Sequence, residues 1–226
     1  MAEIRLYPGS GQDERTGFAP YSAFDIPADL RQLHGRYDVE AVALRVRNLR
    51  YAEEWIMMTL GGWVATVPEL PVKTGLGKII WDGAVAADSL GKRLPELRCG
   101  TRVGQQGSLA GNQGFANFIQ ELSAPERPDL TIEKLAGVFD VLKPHLVKAY
   151  QKFNSETDQI CDAPTIELLE DIIRKTGKHI AWGNAILNEL CKTDADKQRR
   201  AARIVQLTAQ LAACGGVTGE EAVVSH

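Results

Sequence analysis

The sequence predicts an all-α protein, a four-helix bundle with a long crossover between the second and third helices and a fifth helix near the C-terminal end. Three observations carry this. Apolar residues recur at steps of three and four in four long stretches, the spacing that turns one face of a helix inward. Strand-like alternation never runs beyond a few residues. The segment 100–129, rich in Gly, Gln, Asn, Ser and Pro, is long for a connection inside a compact domain, and it matches the bundle topology that has one crossover.

Residues 1–38 show little periodicity and several turn formers, including Pro8, Gly9 and Gly11. They read as a lead segment laid over the bundle, with a short helix at Pro27–Leu33. The first long helix follows, with Val39, Val42, Val46, Leu49, Ile56, Leu60, Trp63 and Val67 on its inner face, and it ends before Pro68. Pro71 then suits the first turn of a second helix, over about 72–97. Its inner series is Val72, Leu76, Ile79, Gly83, Ala86, Leu90 and Leu94. The crossover at 100–129 holds one apolar island, Phe115, Phe118, Ile119 and Leu122, and reads either as a lid or binding loop or as a connection that simply carries the chain to the far end of the bundle.

The third helix spans about 131–154, with Leu135, Val138, Leu142, Ala149 and Phe153 inward, His145 at or beside the seam, and a kink or break at Pro144. Asp162, Pro164 and Thr165 mark the start of the fourth. It runs to about Leu190 through Leu169, Ile172, Thr176, His179, Gly183 and Ile186. The fifth, about 195–213, has Ile204, Leu207 and Leu211 on one side and the basic cluster Lys197 to Arg203 on a solvated face. Gly215 and Gly216 stop it, leaving 214–226 as a loose tail, so the domain proper is 39–213.

A chain of 226 residues with 44% hydrophobic and 24% charged residues fits one globular domain with a sizeable core. A net charge of −3 offers no general attraction to nucleic acid or anionic lipid. No apolar run approaches the roughly 18 to 20 residues of a membrane span, and the first residues lack a secretion signal, so a cytoplasmic location is expected. Cys99, Cys161, Cys191 and Cys214 are widely spaced, which suggests reduced thiols in place of a zinc or redox motif.

One member of the first helix's inner series is not apolar. Glu53 lies in the seam between Leu49 and Ile56, and an ionised carboxylate there needs a proton, a cation or hydrogen-bond donors. A partner such as Arg50 or Arg174 would make it a structural ion pair; facing open space, it would be a general acid or base. The small residues Gly83 and Ala86, three apart on one face, leave that space on the second helix, and Thr176 and His179 face it from the fourth. Trp55, Met57, Met58, Trp63, Trp81 and Trp182 either refill it or line a pocket for a flat apolar ligand.

The motifs Pro68-Glu69 with Val72-Lys73, Trp81-Asp82, Leu94-Pro95-Glu96-Leu97-Arg98, Asp162-Ala163-Pro164-Thr165 and Ile180-Ala181-Trp182-Gly183 resemble those of bacterial ferritin-like domain proteins, over roughly 38–190. The resemblance implies a ferritin-like bundle related to the di-iron carboxylate proteins. Those bundles place an inward Glu on one helix of each pair and Glu-x-x-His on the other. Here Glu53 matches the single Glu, but Gly83 and Ala86 stand in the Glu-x-x-His slot of the second helix, and Thr176 and His179 stand in that of the fourth.

A metal pair normally needs about six protein ligands, so no metal and no cofactor are expected. The expected function is metal-independent acid/base chemistry of cyclase, isomerase or dehydratase type in bacterial secondary metabolism. Glu53 and His179 are the catalytic pair. Thr176, Gly83, Ala86, Trp81, Trp182, Met57 and His145 surround a small hydrophobic substrate. A homodimer is the expected assembly. The alternatives are a metal-dependent oxidase or oxygenase with atypical ligands, and a non-catalytic binding or assembly protein.

Overall fold

In the computed structural model, which describes residues 35–99 and 111–220, every regular element is helical. The expected helix at Pro27–Leu33, the crossover residues 100–110 and the last six residues lie outside the described residues. α1 (Val39–Thr66) opens on an N-cap, the Asp38 side chain accepting from the backbone N–H of Ala41 at 2.8 Å. It stops where Pro68 forbids continuation. α2 (Leu70–Glu96) starts after a three-residue connection with Pro71 in its first turn, and the two helices pack side by side over most of their length. All seven positions of the expected α2 inner face are buried; on α1 only Val39 departs from its series, at 53% exposed.

The crossover is more ordered than its composition suggests. Its apolar island forms α3 (Gln113–Ser123), capped by the Asn112 side chain on the N–H of Phe115, and Phe115, Phe118, Ile119 and Leu122 are all buried. The third long helix is continuous but not uniform: α4 (Thr131–Ala136) passes through a π-helical turn at Gly137–Leu142 into α5 (Lys143–Glu156). Pro144 explains the site of the irregularity. It has no N–H for the carbonyl of Asp140, and its ring would crowd that carbonyl in a regular helix. The wider turn relieves the clash and advances everything downstream by about 100° of helix rotation per added residue.

α6 (Ala163–Leu190) buries Leu169, Ile172, Thr176, His179 and Gly183. Gly183 is needed for close approach, since a Cβ there would lie 2.2 Å from the Phe139 ring. α7 (Asp194–Ala213) begins with a reciprocal capping box between Thr193 and Asp196. Its basic cluster is not simply solvated. Arg199 pairs with Glu133, Arg200 with Asp140 and Arg203, only 7% exposed, with Glu121, tying α7 to α3, α4 and the π turn.

The described part of the expected loose tail is also docked. Val217 is buried, its N–H donates to His145 Nε2 at 3.0 Å, and Glu220 pairs with Arg45. All four cysteines are free thiols. Among the described residues no helix is long and apolar enough to cross a membrane.

Candidate functional site

The middle of the helical layers is polar, and each polar group arrives there by helical spacing. Glu53 comes from α1 and is 1% exposed. Its partner is neither Arg50 nor Arg174. Arg50 lies against Gly91, and Arg174 pairs with Asp171 on its own helix. Instead α5 supplies two groups seven residues apart, hence on one face. The Tyr150 hydroxyl donates to Glu53 Oε1 at 2.7 Å, and the Lys143 ammonium stands 3.9 Å from Oε2. Both are essentially inaccessible to solvent. Burial pushes the Tyr150 phenol well above its ordinary value, and the Glu53 charge adds to that, so the hydroxyl keeps its proton and acts as a donor.

A second cluster joins α2 to α6. His179 Nε2 is 3.0 Å from Asp82 Oδ2, while Lys78, one turn before Asp82 on α2, donates to Oδ1 at 2.5 Å. Burial works to raise the Asp82 carboxyl, but the hydrogen bonds from Lys78 and His179 outweigh it and hold the group below its ordinary value. For His179 the order is reversed. Burial and the nearby Lys143 charge lower the imidazole below its ordinary value, against the pull of Asp82 and Glu53. A neutral ring facing a carboxylate carries its proton on Nε2, which leaves a lone pair on Nδ1. That atom is buried, and no group of the described residues bonds it.

Glu53, Asp82, Gly83, Ala86, Thr176 and His179 line one cleft between α2 and α6, with Ser89, Asp171 and Lys175 also on its wall. At Gly83 a Cβ would be accommodated without a clash, meeting Met57 Cβ at 3.6 Å and Glu53 Oε2 at 3.8 Å, ordinary contacts. The cleft encloses about 20 Å³ of water-accessible room, enough for one water molecule or a small reacting group.

The remaining sequence-predicted residues do not line the cleft. Trp81 is 65% exposed on the outside of α2. Trp182 packs over Gly75, where a Cβ would lie 2.1 Å from its ring, and edge-on to Phe139 at 5.5 Å between centroids. His145 holds the C-terminal segment, and Met57 packs behind Gly83. Sequence reasoning missed Lys143 and Tyr150 as site residues and named Asp82 only as part of the Trp81-Asp82 motif. The available signal was the 4-and-3 stripe Leu142, Leu146, Tyr150, Phe153, all buried, with Lys143 seven residues before Tyr150.

The ferritin-like resemblance implies a metal pair, and the residues present do not fit one. Among the described residues no three His, Cys, Asp or Glu side chains come together as a metal-ligand group. The cation beside Glu53 is the protein's own Lys143. Nor do comparisons with known proteins supply a family: no protein-family model, no curated protein and no solved structure matches the chain.

Proposed function

We propose that this protein is a metal-independent acid/base enzyme, built on a ferritin-like four-helix bundle, that moves a proton on a small hydrophobic substrate reaching it between α2 and α6. The observation that carries the reading is the buried Nδ1 of His179, unbonded among the described residues, in a ring that lines the cleft and whose other nitrogen is held by Asp82. A base oriented by a carboxylate, with its free nitrogen toward the reacting group, is the arrangement general-base catalysis needs. Glu53, held by Tyr150 and Lys143, supplies fixed negative charge and one hydrogen-bond acceptor beside it. Val85, Ala86, Leu168 and Ile172 give the apolar wall against which the rest of the substrate packs.

The test is turnover by the purified chain in bacterial small-molecule extracts, followed by mass spectrometry. The wild type should consume a compound that His179→Gln, confirmed folded by circular dichroism, leaves untouched. Gln keeps a donor for Asp82 and removes the base. Activity should survive a chelator; loss restored by iron or manganese would support the oxidase reading instead. The second reading, a non-catalytic packed bundle, is favoured by the small volume of the cleft. It prevails if no extract is altered, or if His179→Gln is as active as the wild type.

A further inference from the structure

Trp55, Met58 and Trp63 do not meet at the bundle centre; they line one groove on the other side of α1 from the cleft's partner helix α2. Two parallel rows of α1 form it. Trp55, Thr59 and Trp63 follow one another at steps of four, with Met58 and Gly62 beside them, and Glu126, in the segment after α3, lines it as well. The groove shares no lining residue with the cleft of Glu53 and His179. It offers about 400 Å³ of water-accessible room, against about 20 Å³ in that cleft, a size at which small-molecule sites are found.

Three features say what fits. The apolar part of the wall is aromatic and soft, two indoles and the 44% exposed side chain of Met58, and such walls suit a flat ring. Thr59 lines the groove from between the two tryptophans; it is only 8% exposed, and its hydroxyl bonds no group of the described residues. A buried hydroxyl without a partner costs free energy, so a ligand that bonds it is favoured. Glu126 is the one charged residue among those lining the groove, and its carboxylate has no hydrogen bond or ion pair among the described residues. Lys134 does not line the groove. It is fully buried, its ammonium donating to Thr66 Oγ1 at 2.8 Å and to the Glu126 carbonyl at 3.1 Å, and its charge is shared among the carboxylates of Glu69, Asp129 and Glu126. Indole rings and a carboxylate favour the same sign of ligand charge, a cation.

We propose that this groove is a second binding site, for a flat aromatic molecule that carries a protonated amine. The ring packs against Trp55, Met58 and Trp63, the Glu126 carboxylate answers the charge, and the Thr59 hydroxyl accepts a hydrogen bond from the ligand. A neutral ring would leave Glu126 unanswered, and an anionic one would be repelled by it. The site is independent of the acid/base reading.

The test is a titration of the full chain with 1-naphthylmethylamine, read on the indole N–H signals of the four tryptophans by NMR, each assigned by its Trp→Phe variant. The signals of Trp55 and Trp63 should shift, and those of Trp81 and Trp182 should not. The amine should bind on the order of tenfold more tightly than 1-naphthylmethanol, and 1-naphthoate more weakly than either. Glu126→Gln should bring the amine down to the affinity of the alcohol. Gly62→Leu should abolish binding without harm to the fold, since nothing lies within 4 Å of a Cβ at Gly62 and leucine is the better helix former. Silent Trp55 and Trp63 signals, equal shifts at Trp81 or Trp182, or unchanged binding to Gly62→Leu overturn the site. Alcohol or naphthoate binding as tightly as the amine overturns the ligand class. Trp55 and Trp63 signals that move with protein concentration alone overturn it in favour of a second copy of the chain. His179→Gln should bind the amine as the wild type does, so the outcome here and the fate of the acid/base reading are separable.

Discussion

Lys143→Met is the substitution that most directly tests how the interior holds its charge. The side chain is 1% exposed and its ammonium is the cation closest to the equally buried Glu53, at 3.9 Å. At an effective dielectric of about 20 two unit charges at that separation attract by about 4 kcal/mol, most of which offsets the cost of taking both out of water. Removing only the lysine leaves Glu53 buried with one hydrogen bond, from Tyr150, and should destabilise the fold by about 3 to 5 kcal/mol. For a chain of this size that is a fall in melting temperature of roughly 6 to 20 °C.

Glu53→Gln alone should also destabilise, by stranding the lysine. The double variant should recover to within about 1 to 2 kcal/mol of the wild type, because Gln still accepts from Tyr150 and no unpaired charge remains. Urea denaturation followed by circular dichroism reads all four corners of the cycle. Single-variant losses that simply add in the double variant would refute the idea that Lys143 and Glu53 are each other's counter-charge.

The lowered His179 pKa has a sign that can be checked in stability and in rate. Below the ordinary histidine value of about 6.5 the unfolded chain binds a proton that the folded chain resists, so this residue's contribution to stability is complete above that pH and declines as pH falls toward the folded value. His179→Gln should flatten that part of the stability profile. The acid limb of the rate should accordingly lie below about pH 6.5. Gly183→Ala should cost about 1 to 3 kcal/mol or more, read as a lowered denaturation midpoint, because the new methyl meets the fully buried Phe139 ring at 2.2 Å. Arg203→Ala should cost about 1 to 3 kcal/mol in the same assay; the guanidinium donates to the Glu121 carboxylate and to the carbonyls of Glu121 and Leu122.

The helices were legible because burial follows a period that a sequence displays directly. α1, α2, α6 and α7 begin and end within about two residues of where Pro68, Pro71, Asp162 and Gly215 place their boundaries. What was not legible follows from one local event. A regular helical period carried through Pro144 places Leu142 and Ala149 inward and turns Lys143 away from the seam. The π turn at Gly137–Leu142 shifts that phase, so Lys143 reaches the interior as well, on the face that carries Leu146, Tyr150 and Phe153. Composition misled in two further places. Glycine and asparagine around 111–114 disguised a short, well-capped helix, and the arginines of α7 read as solvated because the acids that meet them, Glu121, Glu133 and Asp140, lie at least 60 residues away in sequence.

The two halves of the site are not equivalent, and the difference assigns their roles. On the α1 and α5 side the groups are mutually committed: Glu53 has a donor on Oε1 and a counter-charge beside Oε2, and both partners are sealed from solvent. Glu53 is thereby committed to an ion pair with Lys143. On the α2 and α6 side Asp82 has its charge balanced by Lys78, whose stem reaches the surface, and His179 is neutral with one nitrogen uncommitted. A proton gained at Nδ1 leaves the Nε2–H facing the Asp82 carboxylate 3.0 Å away, so the charged ring is stabilised at the moment it forms. In the proposed acid/base reaction the proton transfer would therefore fall to His179, with Asp82 holding the ring and Glu53 supplying fixed charge, a different division of labour from the pair of equal partners that the seam positions suggest.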